Sequence, residues 1–221
     1  MGVPVEQGKL LYHLTAVENL EGIFQRGLVP RIELELLQLP HKDIAEGEIL
    51  KGREIWHLDT YVPFHFLPKN PFAVSVIKAH PDTRFCFISV YRIFAREHGF
   101  KIVTAHPLAN HQWTKDAVQL LDYDKGIREI DWEVMNKKNF SSSDYKAVAM
   151  AECLSHSSIA AKDFQSIAVK DQDTELRVRT QATQVFGPNL PFYINVCPYY
   201  FPSSPRKKQP NQSNAMIERN V

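Results

Sequence analysis

A mixed α+β fold is predicted for this chain from three observations. Phe85-Cys-Phe-Ile-Ser-Val-Tyr91 is a short, almost continuous apolar run with aromatic and β-branched residues, the pattern of a buried central strand. Ala16 to Gly27 has helical spacing, with Thr15 before it as an N-cap candidate and a glycine to end it. The 221 residues, 44% of them apolar, suffice for one domain with a sizeable core and would be cramped as two.

The elements follow in order. Leu10–Thr15 reads as a first strand. In the helix after it, Glu18 completes a capping box with Thr15, and Leu20, Ile23 and Phe24 share the buried face. Residues 29–54 carry mixed charge and scattered leucines, which permits a short helix over 33–38 within a partly mobile loop. Tyr61-Val-Pro-Phe-His-Phe-Leu-Pro-Lys-Asn-Pro-Phe72 alternates like a strand, with Val62, Phe64 and Phe66 on one face and Tyr61, Pro63, His65 and Leu67 on the other. Its prolines predict an edge or terminal strand that runs into a stiff turn, either packed on the core or presenting an aromatic binding wall.

Lys101–Thr104 is a further strand. The polar, irregular stretch from 105 to 139 is long enough to suggest a functional loop. Residues 144–154 read as a helix or a helix running into a strand. Ser166–Val169 and Phe192–Val196 read as strands, and Leu176–Arg179 as an amphipathic segment. From Pro202 the chain is too polar and proline-rich to add to a core, so residues 1–201 are expected to be the domain and 202–221 a disordered tail.

The 26 basic and 25 acidic residues give a net charge of +1, so no global field draws in nucleic acid, and such a partner would need a local patch or stacking. Cys86, Cys153 and Cys197 form no C-x-x-C pair and read as reduced thiols. Without an apolar leader or a membrane-length run, a cytoplasmic protein is expected. With nine glycines there is no Walker or Rossmann phosphate loop.

Two residues stand out as chemistry candidates. His13, ahead of a helix N-terminus, is placed either to meet a ribose or phosphate or to satisfy itself structurally. Glu152 is a lone acid among Ala149-Met-Ala151 and Cys153-Leu154. Buried, it would have a raised pKa and serve as a general base or a stabiliser of positive charge; on an exposed helix face it would be an ordinary solvated acid. His156, four residues on, has no accompanying ligand pattern, so no metal is expected. No G-x-S-x-G elbow is present.

Leu11-Tyr-His-Leu-Thr-Ala-Val-Glu-Asn-Leu-Glu-Gly-Ile-Phe-Gln-Arg-Gly-Leu28, the Tyr61–Phe72 block and Ala151-Glu-Cys-Leu154 together resemble the DarT family of DNA ADP-ribosyltransferase toxins, and Ile130-Asp-Trp132 and Asn139-Phe140 extend the similarity. The resemblance implies a compact ADP-ribosyltransferase-like fold with central, mostly antiparallel sheets and flanking helices. It implies transfer of ADP-ribose from NAD, used as substrate, to a base in single-stranded DNA. Thymidine is the usual acceptor; guanosine, RNA or protein acceptors and a non-catalytic nucleotide-binding module stay open.

By position, Glu152 matches the catalytic glutamate, which would take the proton from the base nitrogen and stabilise the oxocarbenium-like transition state. Arg53, in preference to Lys51, matches a catalytic arginine. His13, Thr15, Asn19, Tyr61 and Phe64 fall where the family holds the cofactor, and His106, His111 and Trp113 where it meets DNA. A macrodomain-type antitoxin is the implied protein partner. Lys69-Asn70, Phe72 and His65, where a tyrosine is common, depart from the family pattern.

Overall fold

The computed structural model describes residues 3–45, 47–106 and 118–203. Its strands are β1 (Leu10–Ala16), β2 (Val62–His65), β3 (Phe85–Tyr91), β4 (Lys101–Val103), β5 (Leu121–Asp122), β6 (Glu152–Ser155), β7 (Ser166–Val169) and β8 (Tyr193–Val196). They make one sheet in the order β5-β4-β6-β2-β1-β3-β7-β8. Neighbours run antiparallel except β7 and β8, which are parallel. The α+β fold expected from the sequence is the fold observed.

Buried β3 anchors the sheet. Cys86, Ile88 and Val90 are fully enclosed, and β3 pairs with β1 along the whole of both, from Leu10↔Tyr91 to Ala16↔Phe85. Apolar clusters cover both faces. Leu11, Phe64, Ile88 and Ile102 belong to one, and Leu14, Val76, Phe85 and Phe87 to the other. Each fully buried side chain of this kind contributes about 1.5–3 kcal/mol.

The helices lie between the strands in sequence. Between β1 and β2 come α1 (Leu20–Arg26), α2 (Arg31–Leu36) and α3 (Gly47–Ile55), and α4 (Pro71–Ala79) follows β2. Asn70 caps α4 by accepting from Ala73 N, and Pro71 stands at the start of the helix, where a missing N–H costs nothing. Then come α5 (Arg92–Glu97), α6 (Tyr123–Glu129), α7 (Trp132–Asn136), α8 (Ser143–Ala149) and α9 (Gln172–Phe186). The last makes the long crossover that a parallel β7–β8 pair requires.

Several expectations are corrected. The Tyr61–Phe72 strand is central, lying between β6 and β1. Pro63 is tolerated there because its carbonyl accepts from the His13 ring at 2.8 Å. Its nitrogen therefore faces the same side, where pairing with β1 is limited to Tyr12↔His65. Thr15 stays in β1 and caps no helix; its hydroxyl accepts from Asn19 and the next turn is 3-10.

Residues 29–54 hold α2 and also α3, whose two glycines and weak apolar pattern hid it. From Leu121 to Asn136 the supposedly irregular stretch is β5, α6 and α7. Trp132 packs on Phe66 there and donates to Ile127 O at 2.8 Å. Leu176–Arg179 is part of α9, whose buried stripe of Thr174, Val178 and Ala182 is too small and polar to reveal a helix. The expected tail boundary at 202 borders the undescribed residues 204–221.

Gly27 ends α1 with φ 85° and ψ 179°, and a Cβ on it would lie 2.4 Å from the Ile159 carbonyl oxygen. Leu28 pairs with Ile159 directly beyond. Gly27→Ala should lower stability by about 2 kcal/mol or more, from combined backbone strain and clash, seen as an earlier denaturant midpoint. An unchanged midpoint would mean that the 159–160 backbone yields freely.

Candidate active site

The break in pairing between β1 and β2 opens a cleft. His13 and Thr15 reach it from β1, Tyr61, Pro63 and His65 from the β2 side, Glu152 from the first position of β6, Arg53 from α3, and His106 from just beyond β4. The end of α1, the start of α2 and the 40–45 segment line the far wall. Strand alternation explains the β2 contribution: Tyr61, Pro63 and His65 share the face opposite to Phe64 and Phe66.

Glu152 is 7% exposed, which removes the solvated-helix reading. Arg53 Nη1 donates to both of its oxygens, at 3.0 and 2.9 Å, and Arg53 Nη2 donates to Leu58 O at 3.0 Å. Burial pushes the Glu152 carboxyl upward, but the Arg53 guanidinium and the neighbouring His65 outweigh it and hold the group below the usual carboxylate range. The raised pKa expected of a buried acid is therefore reversed by its partner.

Histidines ring this pair. His13 Nδ1 bonds Pro63 O; a carbonyl only accepts, so Nδ1 carries the proton and Nε2 keeps its lone pair. Burial, partly opposed by that bond, pulls His13 down to about 4. His65 sits directly opposite Glu152 across β2 and β6, and its Nδ1 donates to Ala151 O at 3.2 Å. Burial lowers His65 and His106 as well, and the Glu152 charge opposes the shift in both. All three imidazoles are neutral near pH 7.

Not every sequence candidate reaches the cleft. Phe64 is fully buried on the core face and meets the site through the His13 ring, 5.7 Å away centre to centre, so it supports the wall from behind. Asn19 lines the cleft, but its amide is engaged: Nδ2 donates to Thr15 Oγ1 and Lys42 O, and Oδ1 accepts from Lys42 N at 2.7 Å. That side chain fastens the 40–45 segment. Tyr61 lines the cleft and meets His156 edge-on, 5.3 Å between centroids.

His111 and Trp113 lie outside the described residues. The sequence candidates omitted His65 and Arg31. His65 shares strand parity with Tyr61 and Pro63, a usable signal; Arg31, ion-paired to Glu35 and Asp43 at the cleft wall, had none. Among the described residues no group of three or more His, Cys, Asp or Glu side chains is arranged to hold a metal ion, and no helix is long and apolar enough to cross a membrane.

These shifts share one sign. With His13 and His65 depressed below the ordinary histidine value of 6.5, the unfolded chain binds more protons than the folded one as pH drops. Stability should be full above pH 6.5 and fall towards pH 4, with a further loss as Glu152 protonates. His13 contributes at most about 3 kcal/mol of this, because its ring is half-buried at the cleft. Urea unfolding across pH 4–7 checks it, and a flat profile would contradict it.

Comparison with known proteins fits this geometry. No curated protein matches the chain. Thermus sp. 2.9 DarT in complex with ADP-ribosylated single-stranded DNA superposes with a TM-score of 0.69 at 18% identity, over 87% of this chain and 96% of that one. The same protein in complex with NAD+ gives 0.65 at 17% identity, over 88% and 98%. Thermosipho africanus DarTG in complex with ADP-ribose gives 0.68 at 16% identity over 87% of this chain, which spans only 51% of that longer one. These likenesses establish the fold. The family model described as "ssDNA thymidine ADP-ribosyltransferase, DarT" matches residues 12–201, and the chain therefore belongs to the DarT family.

Proposed function

We propose that the cleft binds NAD and transfers its ADP-ribose to a thymidine base in single-stranded DNA, releasing nicotinamide. Family membership over residues 12–201 supports the reaction class, and the NAD+ and ADP-ribosylated DNA held by the Thermus relative support the two substrates. The observation that carries the residue assignment is Glu152, a buried carboxylate kept ionised by Arg53 at the floor of the cleft.

Cleaving the bond between the anomeric carbon and the nicotinamide nitrogen leaves positive charge on the ribose. A fixed carboxylate in a poorly hydrated site stabilises that charge far better than water does. Arg53 keeps Glu152 ionised and oriented, and its own position is fixed by Leu58 O. His13, with Nε2 unprotonated, accepts from a ribose hydroxyl or carboxamide N–H. Thr15 lies two residues along the same strand face, and Tyr61 flanks the nicotinamide.

In thymidine N1 carries the sugar, so N3–H is the ring nitrogen free to attack. His106, which lines the cleft just beyond β4, is assigned to the acceptor side by the family resemblance. A DNA acceptor and the absence of a membrane-length helix among the described residues fit action in the cytoplasm, with a macrodomain-type antitoxin as partner.

Glu152→Gln keeps the shape and removes the charge. It should cut ADP-ribosylation of a thymidine-containing oligonucleotide about 10²–10³-fold while NAD still binds. Arg53→Ala should also lower the rate and move the Glu152 carboxyl upward. Mass spectrometry on oligonucleotides each lacking one base checks both the reaction and the acceptor. An adduct on every oligonucleotide except the one without guanine would assign the acceptor to guanosine, and adducts on RNA or protein alone would reject a DNA acceptor.

A further inference from the structure

We propose that His65, and not Glu152, is the general base that takes the proton from the acceptor nitrogen. The inference deepens the thymidine-transfer reading and rests on it. His65 stands directly across the β2–β6 pair from Glu152, a separation of about 5 Å between Cβ atoms for facing residues. Its ring lines the cleft and is backed by Phe72 at 5.9 Å. The Nδ1–H is committed to Ala151 O, so Nε2 is the nitrogen with a free lone pair. Both Glu152 oxygens, in contrast, already accept from Arg53.

Basicity points the same way. Glu152 lies below the ordinary carboxylate range, which makes it a good counter-charge and a poor proton acceptor. A neutral imidazole beside it, with Nδ1–H bonded to Ala151 O and Nε2 unprotonated, is the alternative acceptor. The groups facing His65 are Glu152 from β6, Arg53 from α3, His106 beyond β4 and His13 from β1. Burial lowers His65 most and Arg53 adds to it, while Glu152 and the bond to Ala151 O oppose the lowering and favour the imidazolium.

The step balances. As N3 bonds to the anomeric carbon, the bond from that carbon to nicotinamide breaks and its electron pair neutralises the pyridinium. The N3 proton passes to His65 Nε2. The positive charge that leaves NAD thus reappears as an imidazolium facing Glu152, and neutral nicotinamide departs. His65 then returns the proton to solvent.

The test has two arms. His65→Gln should lower thymidine modification about 10²-fold or more, with NAD binding retained, and abolish the acid limb of the rate profile that belongs to an imidazole. In the wild-type enzyme, that limb should move with temperature as imidazole ionisation does, whereas carboxylate ionisation hardly responds; this readout does not depend on any variant folding. A His65→Gln rate within about threefold of wild type, or a temperature-insensitive limb, overturns the proposal. Wild type that makes no thymidine adduct at all would overturn the parent reading; an adduct made equally well by His65→Gln would overturn only the assignment of the base.

Discussion

A carboxylate and a guanidinium buried together constrain everything around the cleft. Each charge costs several kcal/mol to remove from water, and the pair is tolerable only with good geometry and its remaining groups bonded. Glu152 and Arg53 meet that condition through two contacts near 3 Å and the Leu58 carbonyl. The requirement fixes α3 against the end of β6 and brings Leu58 and Trp56 over Leu154 and Val103 as a small apolar cap. Stability and chemistry coincide here, because the interaction that keeps the acid ionised also holds the wall of the site.

The histidines are the complement to this charge. Burial lowers all three below the ordinary histidine value, so near neutral pH they stand beside the Arg53–Glu152 pair as acceptors. Two of the rings are oriented by backbone carbonyls, His13 by Pro63 O and His65 by Ala151 O. Backbone carbonyls are fixed by the sheet, so the free nitrogens are aimed before any ligand arrives, which is the condition for effective electrostatic and acid–base work.

Much of this was legible in the sequence, for physical reasons. β3 announces itself because a strand buried on both faces must be apolar throughout, and β2 because its alternation survives Pro63. Glu152 was visible as a charge where charge is costly. The tertiary partners were not. Nothing local indicates that Arg53 meets an acid 99 residues away, that Pro63 sits in a central strand beside a gap, or that the Asn19 amide is spent on Lys42. α3 and α9 were hidden because tertiary packing stabilises them more than their own apolar periodicity does. The family resemblance assigns Phe64 to the wall, whereas strand alternation puts it on the face opposite Tyr61 and His65, the face that is buried in the core.

The single register pair between β1 and β2 has a mechanical consequence. It leaves two well-laddered halves, β5-β4-β6-β2 and β1-β3-β7-β8, joined at Tyr12↔His65 and through the His13 ring. A sheet bends most cheaply where it has fewest cross-links, so the soft line of this molecule runs through the floor of its own cleft. His13 belongs to one half, and His65 and Glu152 to the other. The His13–Pro63 bond therefore ties the two halves across the gap, and the cleft draws its groups from both sides of that line.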